Sequence, residues 1–253
     1  MKPNIEKVDP TYFDALLNSN YAPVVSIIIP SFNEEKSVGI VLQRTQNTLE
    51  KVGLPYEIIV INDGSTDRTS EIALRSKAIL LENRQNMGKG ASLRVGLKHT
   101  RGEYIVFMDA DGESRPEDIH LLLYPFTQNE KLSVVIGSRF KREVDEDVTS
   151  RLHVFGNKIF NVMIFLLTRR YVSDSQSGFR VFKQPVLKDM NIDSSGFEVE
   201  TEILLKILRR DLEFTEVPIT FDRRIEGVPR LRTFRDGWKI VKAILKYSLL
   251  ENG

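Results

Sequence analysis

The chain of 253 residues contains no cysteine, which excludes disulfide scaffolds, thiolate zinc sites and cysteine nucleophiles, and fits a reducing interior. Net charge is nearly absent as well: 36 Lys+Arg face 35 Asp+Glu, a formal +1. Nucleic acid is therefore not an expected partner, because a general binder needs a net basic surface or a long basic stripe. Long apolar runs are missing too. Met1–Pro10 carries charges where a signal peptide has its apolar core. The most apolar stretch, Ile159–Leu167, is short of the ~20 residues a bilayer-spanning helix needs. The expectation is a soluble protein, or one attached to a membrane surface. With 41% hydrophobic and 28% charged residues the composition is that of a globular domain.

Up to about residue 140 strand and helix patterns alternate. Strands are expected at Val24–Ile29, Glu57–Ile61, Ala78–Leu81, Tyr104–Met108 and Ser133–Gly137. Helices are expected at Glu35–Lys51, Asp67–Ser76, Gly90–Thr100 and Glu117–Phe126. This grammar gives an α/β fold with a mostly parallel sheet flanked by helices. Beyond it come a charge-dense loop at Lys141–Asp147, a helix pair in Arg151–Thr168 and a strand at Phe179–Phe182. A helix at Glu198–Arg209, an edge strand at Phe214–Val217 and a closing helix at Thr233–Leu250 follow.

In parallel sheets ligands sit beyond the carboxyl ends of the strands. Three expected strands end in acidic loops: Pro30-Ser31-Phe32-Asn33-Glu34-Glu35, Asp63-Gly64-Ser65-Thr66-Asp67 and Asp109-Ala110-Asp111-Gly112-Glu113. Asp109 and Asp111, one residue apart, can share a hard divalent cation that bridges diphosphate oxygens, with Glu113 as a third oxygen ligand. An EF-hand is excluded, since its sixth and twelfth positions would be Ser114 and His120. Asp63 can accept hydrogen bonds from a base or ribose, or serve only as a turn and cap. In Asn86-Met87-Gly88-Lys89-Gly90, opening a helix, glycine-freed backbone and Lys89 can approach a phosphate.

Taken as an ordered set with Gly137-Ser138-Arg139, these motifs resemble the family 2 glycosyltransferases of GT-A fold over roughly residues 22–140. The resemblance implies a nucleotide-diphosphate sugar donor, a Mg²⁺ or Mn²⁺ ion at Asp109 and Asp111, and inversion at the anomeric carbon. It implies that Pro30, Phe32, Glu34 and Asp63 line the nucleoside pocket, that Lys89 faces the donor, and that Asp109 and Asp111 hold ribose and metal. The second half is similar to the polyprenyl-phosphate hexose synthases that make dolichyl-phosphate mannose or glucose. The matching residues are Arg151, Asn157, Asp174-Ser175-Gln176-Ser177-Gly178-Phe179-Arg180, Glu216-Val217-Pro218-Ile219 and Arg224. That similarity implies a lipid acceptor, dolichyl or polyprenyl phosphate, held by Arg139, Arg151, Ser177, Arg180, Arg224 and Arg230, with Asp111, Arg139, Arg151 and Arg224 as the catalytic set. It divides the chain, as one GT-A domain over 1–253, into a donor half (22–140), an acceptor half (141–232) and a C-terminal amphipathic helix (233–253).

A lipid acceptor implies a peripheral site at the cytoplasmic face of a membrane. From Arg223 to Lys246 eight basic residues stand against Glu226 and Asp236, a local +6, interleaved with Trp238, Ile240, Val241, Ile244, Leu245 and Leu249. Such a helix suits a membrane interface or a place on the core. Two other readings compete. One is a transferase acting on a saccharide or protein hydroxyl, which needs a base, for which Asp174 is the candidate. The other is a sugar-nucleotide-binding module without turnover.

Overall fold

β-branched runs with no polar face build the centre of the sheet. β1 (Val25–Ser31) and β2 (Tyr56–Asn62) are buried almost throughout and pair in parallel, from Val25 opposite Tyr56 to Ser31 opposite Asn62. Strands covered on both faces need no polar alternation. The structure, a computed structural model, describes residues 23–141, 151–225 and 233–249. Its strands lie in the order β3-β2-β1-β4-β6-β5-β7. β3 (Ile79–Glu82) and β4 (Tyr104–Phe107) run parallel to their neighbours β2 and β1. β6 (Arg180–Lys183) enters antiparallel between β4 and β5 (Val134–Ser138). β7 (Phe214–Pro218) closes the edge parallel to β5, where a terminal proline costs no ladder bond.

Helices cover both faces. α1 (Val38–Val52) and α4 (Ile119–Gln128) pack over Ile27, Ile29, Val60 and Val106. α3 (Lys89–Leu97), α5 (Arg151–Thr168), α7 (Val199–Arg209) and α8 (Thr233–Leu249) pack over Ile28, Ile59, Ile61 and Phe182. Ile27 and Ile29 point one way and Ile28 the other, the period of two that divides the core into two layers. α2 (Thr69–Leu74) and α6 (Gln184–Lys188) are short connectors.

Three expectations shift. α1 starts at Val38 rather than Glu35, because Ser37 and Val38 donate their N–H groups to the Glu34 carbonyl in a closing turn. Arg151–Thr168 is one continuous helix, not a pair, and tolerates Gly156 without a break. Arg180, expected at a lipid phosphate, is buried (1% exposed) and donates to the carbonyls of Ser177 (2.7 Å), Ser175 (2.8 Å) and Glu200 (2.9 Å). Its guanidinium is spent on shaping the 175–177 loop and docking it on α7.

Replacing Arg180 by Met removes three buried hydrogen bonds to backbone carbonyls, at ~1 kcal/mol each. The expected outcome is a Tm lowered by roughly 10 °C in a thermal melt.

Candidate active site

The carboxyl ends of β1, β2 and β4 lie side by side, so their acidic loops share one rim. The first two are knitted together. Asn33, at a left-handed φ of 48°, donates its N–H to Ser65 Oγ and receives Thr66 N–H on Oδ1. Glu34 N–H donates to Thr69 Oγ1, and Glu35 N–H to Asp67. These bonds fix the stretch that carries half-buried Pro30 and Phe32. Glu34 itself is buried, accepts from Ser37 Oγ and is paired with Arg224.

Asp63 is used internally. Its carboxylate accepts from Asn83 Nδ2 (2.7 Å), Met87 N–H (2.9 Å) and Gly88 N–H (2.8 Å), so it anchors the loop that opens α3. The glycines of that loop are not left open for phosphate. A Cβ on Gly88 or Gly90 would sit 2.3 Å from the Ser195 or Ser194 carbonyl, so the 194–196 backbone occupies the space. This corrects the expectation drawn from Gly88-Lys89-Gly90. Lys89 does reach the rim, at 2.5 Å from Asp109 Oδ1 and 2.6 Å from Glu200 Oε1. Burial acts to lower its pKa, but the two carboxylates more than reverse that, and the ammonium stays charged.

The cleft beyond β4 is lined by Asp109, Asp111, Glu113, Arg139, Ser177, Gly178 and Phe221, among others. Arg139 donates from Nε and Nη2 to Asp174 (both 2.7 Å) and lies against the rings of Phe140 and Phe221. Asp174 is fully buried, also accepting from Asn157, and is therefore a clamp for Arg139 rather than a base. Ser177 borders the cleft while its Oγ accepts Phe179 N–H. A second hollow, at the opposite edge of the sheet, is lined by Pro23, Leu49, Tyr56 and Arg101. It lacks convergent carboxylates and lies at the end where parallel sheets do not bind ligands.

Burial, with the charge of Asp109 added, pushes Asp111 up to about 6, against the pull of Arg224. Glu113 rises to about 7 for the same reason, burial first and then the charge of Asp111. Such a donor set of hard oxygens suits Mg²⁺ or Mn²⁺. Yet no three metal-binding side chains converge on one point among the described residues. Asp109 is turned to Lys89 and Asp111 to Arg224, which corrects the expectation of a ready three-carboxylate site including Glu113.

Of the remaining expected residues, Arg151 opens α5 with a side chain outside the described set, and Arg230 lies outside the described residues altogether. Glu200, on α7, went unnoticed in the sequence. Its signal is a carboxylate on a helix turn whose neighbours Val199, Ile203 and Leu204 are all core.

The family model for Glycosyl transferase family 2 matches residues 26–190. The low-salt glycan biosynthesis hexosyltransferase Agl6 of Haloferax volcanii is 32% identical over 90% of this chain, which spans 54% of that protein's length. The dolichyl-phosphate beta-glucosyltransferase of Saccharomyces cerevisiae is 29% identical over 78% of this chain and 66% of its own. Among solved structures, glucosyl-3-phosphoglycerate synthase from Mycobacterium tuberculosis with Mn²⁺, UDP-glucose and phosphoglyceric acid superposes with a TM-score of 0.78. It covers 97% of this chain and 86% of its own at 19% identity, a likeness that establishes the GT-A fold.

Asp111 and Glu113 have folded-state pKa values above their unfolded ones, so the folded protein takes up protons that the unfolded chain does not. Their contribution is fully present below their ordinary values of 3.8 and 4.5 and is lost as pH rises to about 6 and about 7. The expected outcome is a Tm of the ligand-free protein that falls between pH 4 and about pH 7, with a shallower fall in Asp111→Asn.

Proposed function

This chain belongs to glycosyl transferase family 2, and from that membership we propose that it transfers a hexose from a nucleotide-diphosphate sugar to dolichyl or polyprenyl phosphate, inverting the anomeric carbon. The observation that carries the reading is a cleft lined by Asp109, Asp111 and Arg139, with a second arginine, Arg224, paired to Asp111. Two phosphate-bearing substrates need both signs of charge, one for a cation-bridged diphosphate and one for an anionic acceptor. The relatives' names and the UDP-glucose complex support UDP-glucose as donor over GDP-mannose or UDP-GlcNAc.

A lipid monophosphate is already anionic, so its oxygen attacks the anomeric carbon without a base. Asp174 can then remain locked on Arg139. Arg139, buttressed by that carboxylate and by two rings, holds the acceptor phosphate in line, and its Nη1 is not engaged by Asp174. Lys89, fixed between Asp109 and Glu200, orients the first carboxylate of the pair. A divalent cation held by Asp109 and Asp111 would supply charge neutralisation on the departing diphosphate. Residues 22–140 thus bind the donor, and 141–232 contribute the acceptor side. A second reading, transfer to a hydroxyl, draws on Glu113, whose pKa of about 7 suits a general base.

The acceptor would be met at a membrane surface, on its cytoplasmic face. No helix among the described residues is long and apolar enough to cross a membrane. α8 sets Ile240, Ala243, Ile244 and Tyr247 into the core while Trp238 (61% exposed) and Leu245 face outward. Beside it α5 exposes Phe155, Ile159, Val162 and Leu166. Apolar side chains exposed on two helices in contact, with exposed Lys239 and Lys242 on α8, suit a membrane interface.

The test is incubation with UDP-glucose, GDP-mannose or UDP-GlcNAc, Mn²⁺, and dolichyl phosphate in anionic lipid vesicles, followed by lipid extraction and assay of the vesicle-bound fraction. Glucosylated lipid and vesicle binding are the expected results, with turnover reduced about 10²-fold or more in Asp111→Asn. Glucose appearing on a hydroxyl acceptor instead, and lost in Glu113→Gln, would replace this reading with the second.

A further inference from the structure

Arg224 joins two loops that meet at the cleft. Its Nη1 stands 2.9 Å from Asp111 Oδ2, and its Nη2 pairs with Glu34. Side-chain exposures of 14% for Arg224, 15% for Asp111 and 9% for Glu34 take this bridge out of the class of weak, solvated ion pairs. The backbone that carries Arg224 is secured separately. Asp222 N–H donates to the Glu113 carbonyl (2.7 Å), Ile225 N–H to the Asp111 carbonyl (3.2 Å), and Ser114 pairs with Phe221. Movement of the Arg224 side chain therefore requires no movement of residues 221–225.

Asp111 belongs to the pair expected to hold a cation, and Glu34 to the expected nucleoside pocket. A guanidinium on Asp111 Oδ2 and a divalent cation on the same carboxylate repel each other at short range in a poorly solvated cleft. One must yield. We propose that Arg224 is the internal counter-ion of this site. It neutralises Asp111 and Glu34 while the donor is absent, leaves Asp111 when a divalent cation enters with a nucleoside diphosphate, and then pairs with phosphate oxygens in the same cleft. The inference rests on reading the cleft as a metal–diphosphate site. Its consequence is an order of assembly: the cation alone competes with Arg224 and binds weakly. The cation with diphosphate binds well, because the phosphates give Arg224 a new partner.

The experiment is Mn²⁺ binding to the full chain at pH 7.5, by calorimetry or by the loss of the free-ion electron paramagnetic resonance signal, with and without UDP. Without UDP, Arg224→Gln is expected to bind Mn²⁺ at least about tenfold more tightly than the wild type, the scale of losing charge-assisted hydrogen bonds to the competing side chain. Arg224→Lys, which keeps the positive charge, is expected to stay near the wild type, and UDP is expected to narrow the gap. A gain in affinity cannot come from a misfolded variant. An Arg224→Gln protein that binds Mn²⁺ alone no more tightly than the wild type, while both bind it with UDP, overturns the counter-ion and leaves the functional reading standing. Failure of every protein to bind Mn²⁺ with UDP overturns the functional reading and this inference with it.

Discussion

Negative charge gathered at the carboxyl edge of a parallel sheet must be compensated, and much of the architecture around the cleft answers that need. β1, β2 and β4 are adjacent, so the loops that follow them cannot avoid one another. Cations are shared out among the carboxylates: Asp109 and Glu200 meet Lys89, Asp111 and Glu34 meet Arg224, and Asp174 meets Arg139. Compensation is incomplete at Asp111 and Glu113, whose pKa values are pushed up to about 6 and about 7 because they are buried beside like charge. A site so arranged gains most from an added cation and tolerates anions only beside its arginines.

Rigidity around this charge comes from side chains whose hydrogen bonds go to the protein's own loops. Asp63 ties the β2 loop to the start of α3 through two backbone N–H groups and Asn83. Arg180 gathers three carbonyls from two segments, and Glu216 accepts the N–H groups of Ser173 and Asp174. The Asp174 clamp on Arg139 is thus itself clamped. Preorganised charge of this kind costs no rearrangement at the moment of reaction.

Element type and position were largely legible in the sequence, because the strands are unbroken β-branched runs and their loops carry the acidic motifs in order. Asp109, Asp111 and Arg139, which line one cleft, and Arg224, paired to Asp111, are all singled out by the sequence motifs. What could not be read was how each polar group is spent. Asp63 and Arg180 have the chemistry of ligand contacts but serve the backbone. The glycines around Lys89 make room for the 194–196 chain, a contact over a hundred residues away in sequence that no local pattern announces. The partner of Glu200 is hidden for the same reason: its helix pattern marks a carboxylate among core residues but not its pairing with Lys89. The insertion of β6 between β4 and β5 likewise depends on long-range pairing.

The central claim, that Asp109 and Asp111 receive the diphosphate of an activated sugar through a cation, is tested most directly by a crystal structure of the full chain with UDP-glucose and Mn²⁺. The account predicts the diphosphate within one ion's reach of both carboxylates, with Arg224 turned from Asp111 towards phosphate. A nucleotide bound with its phosphates remote from both carboxylates would contradict it.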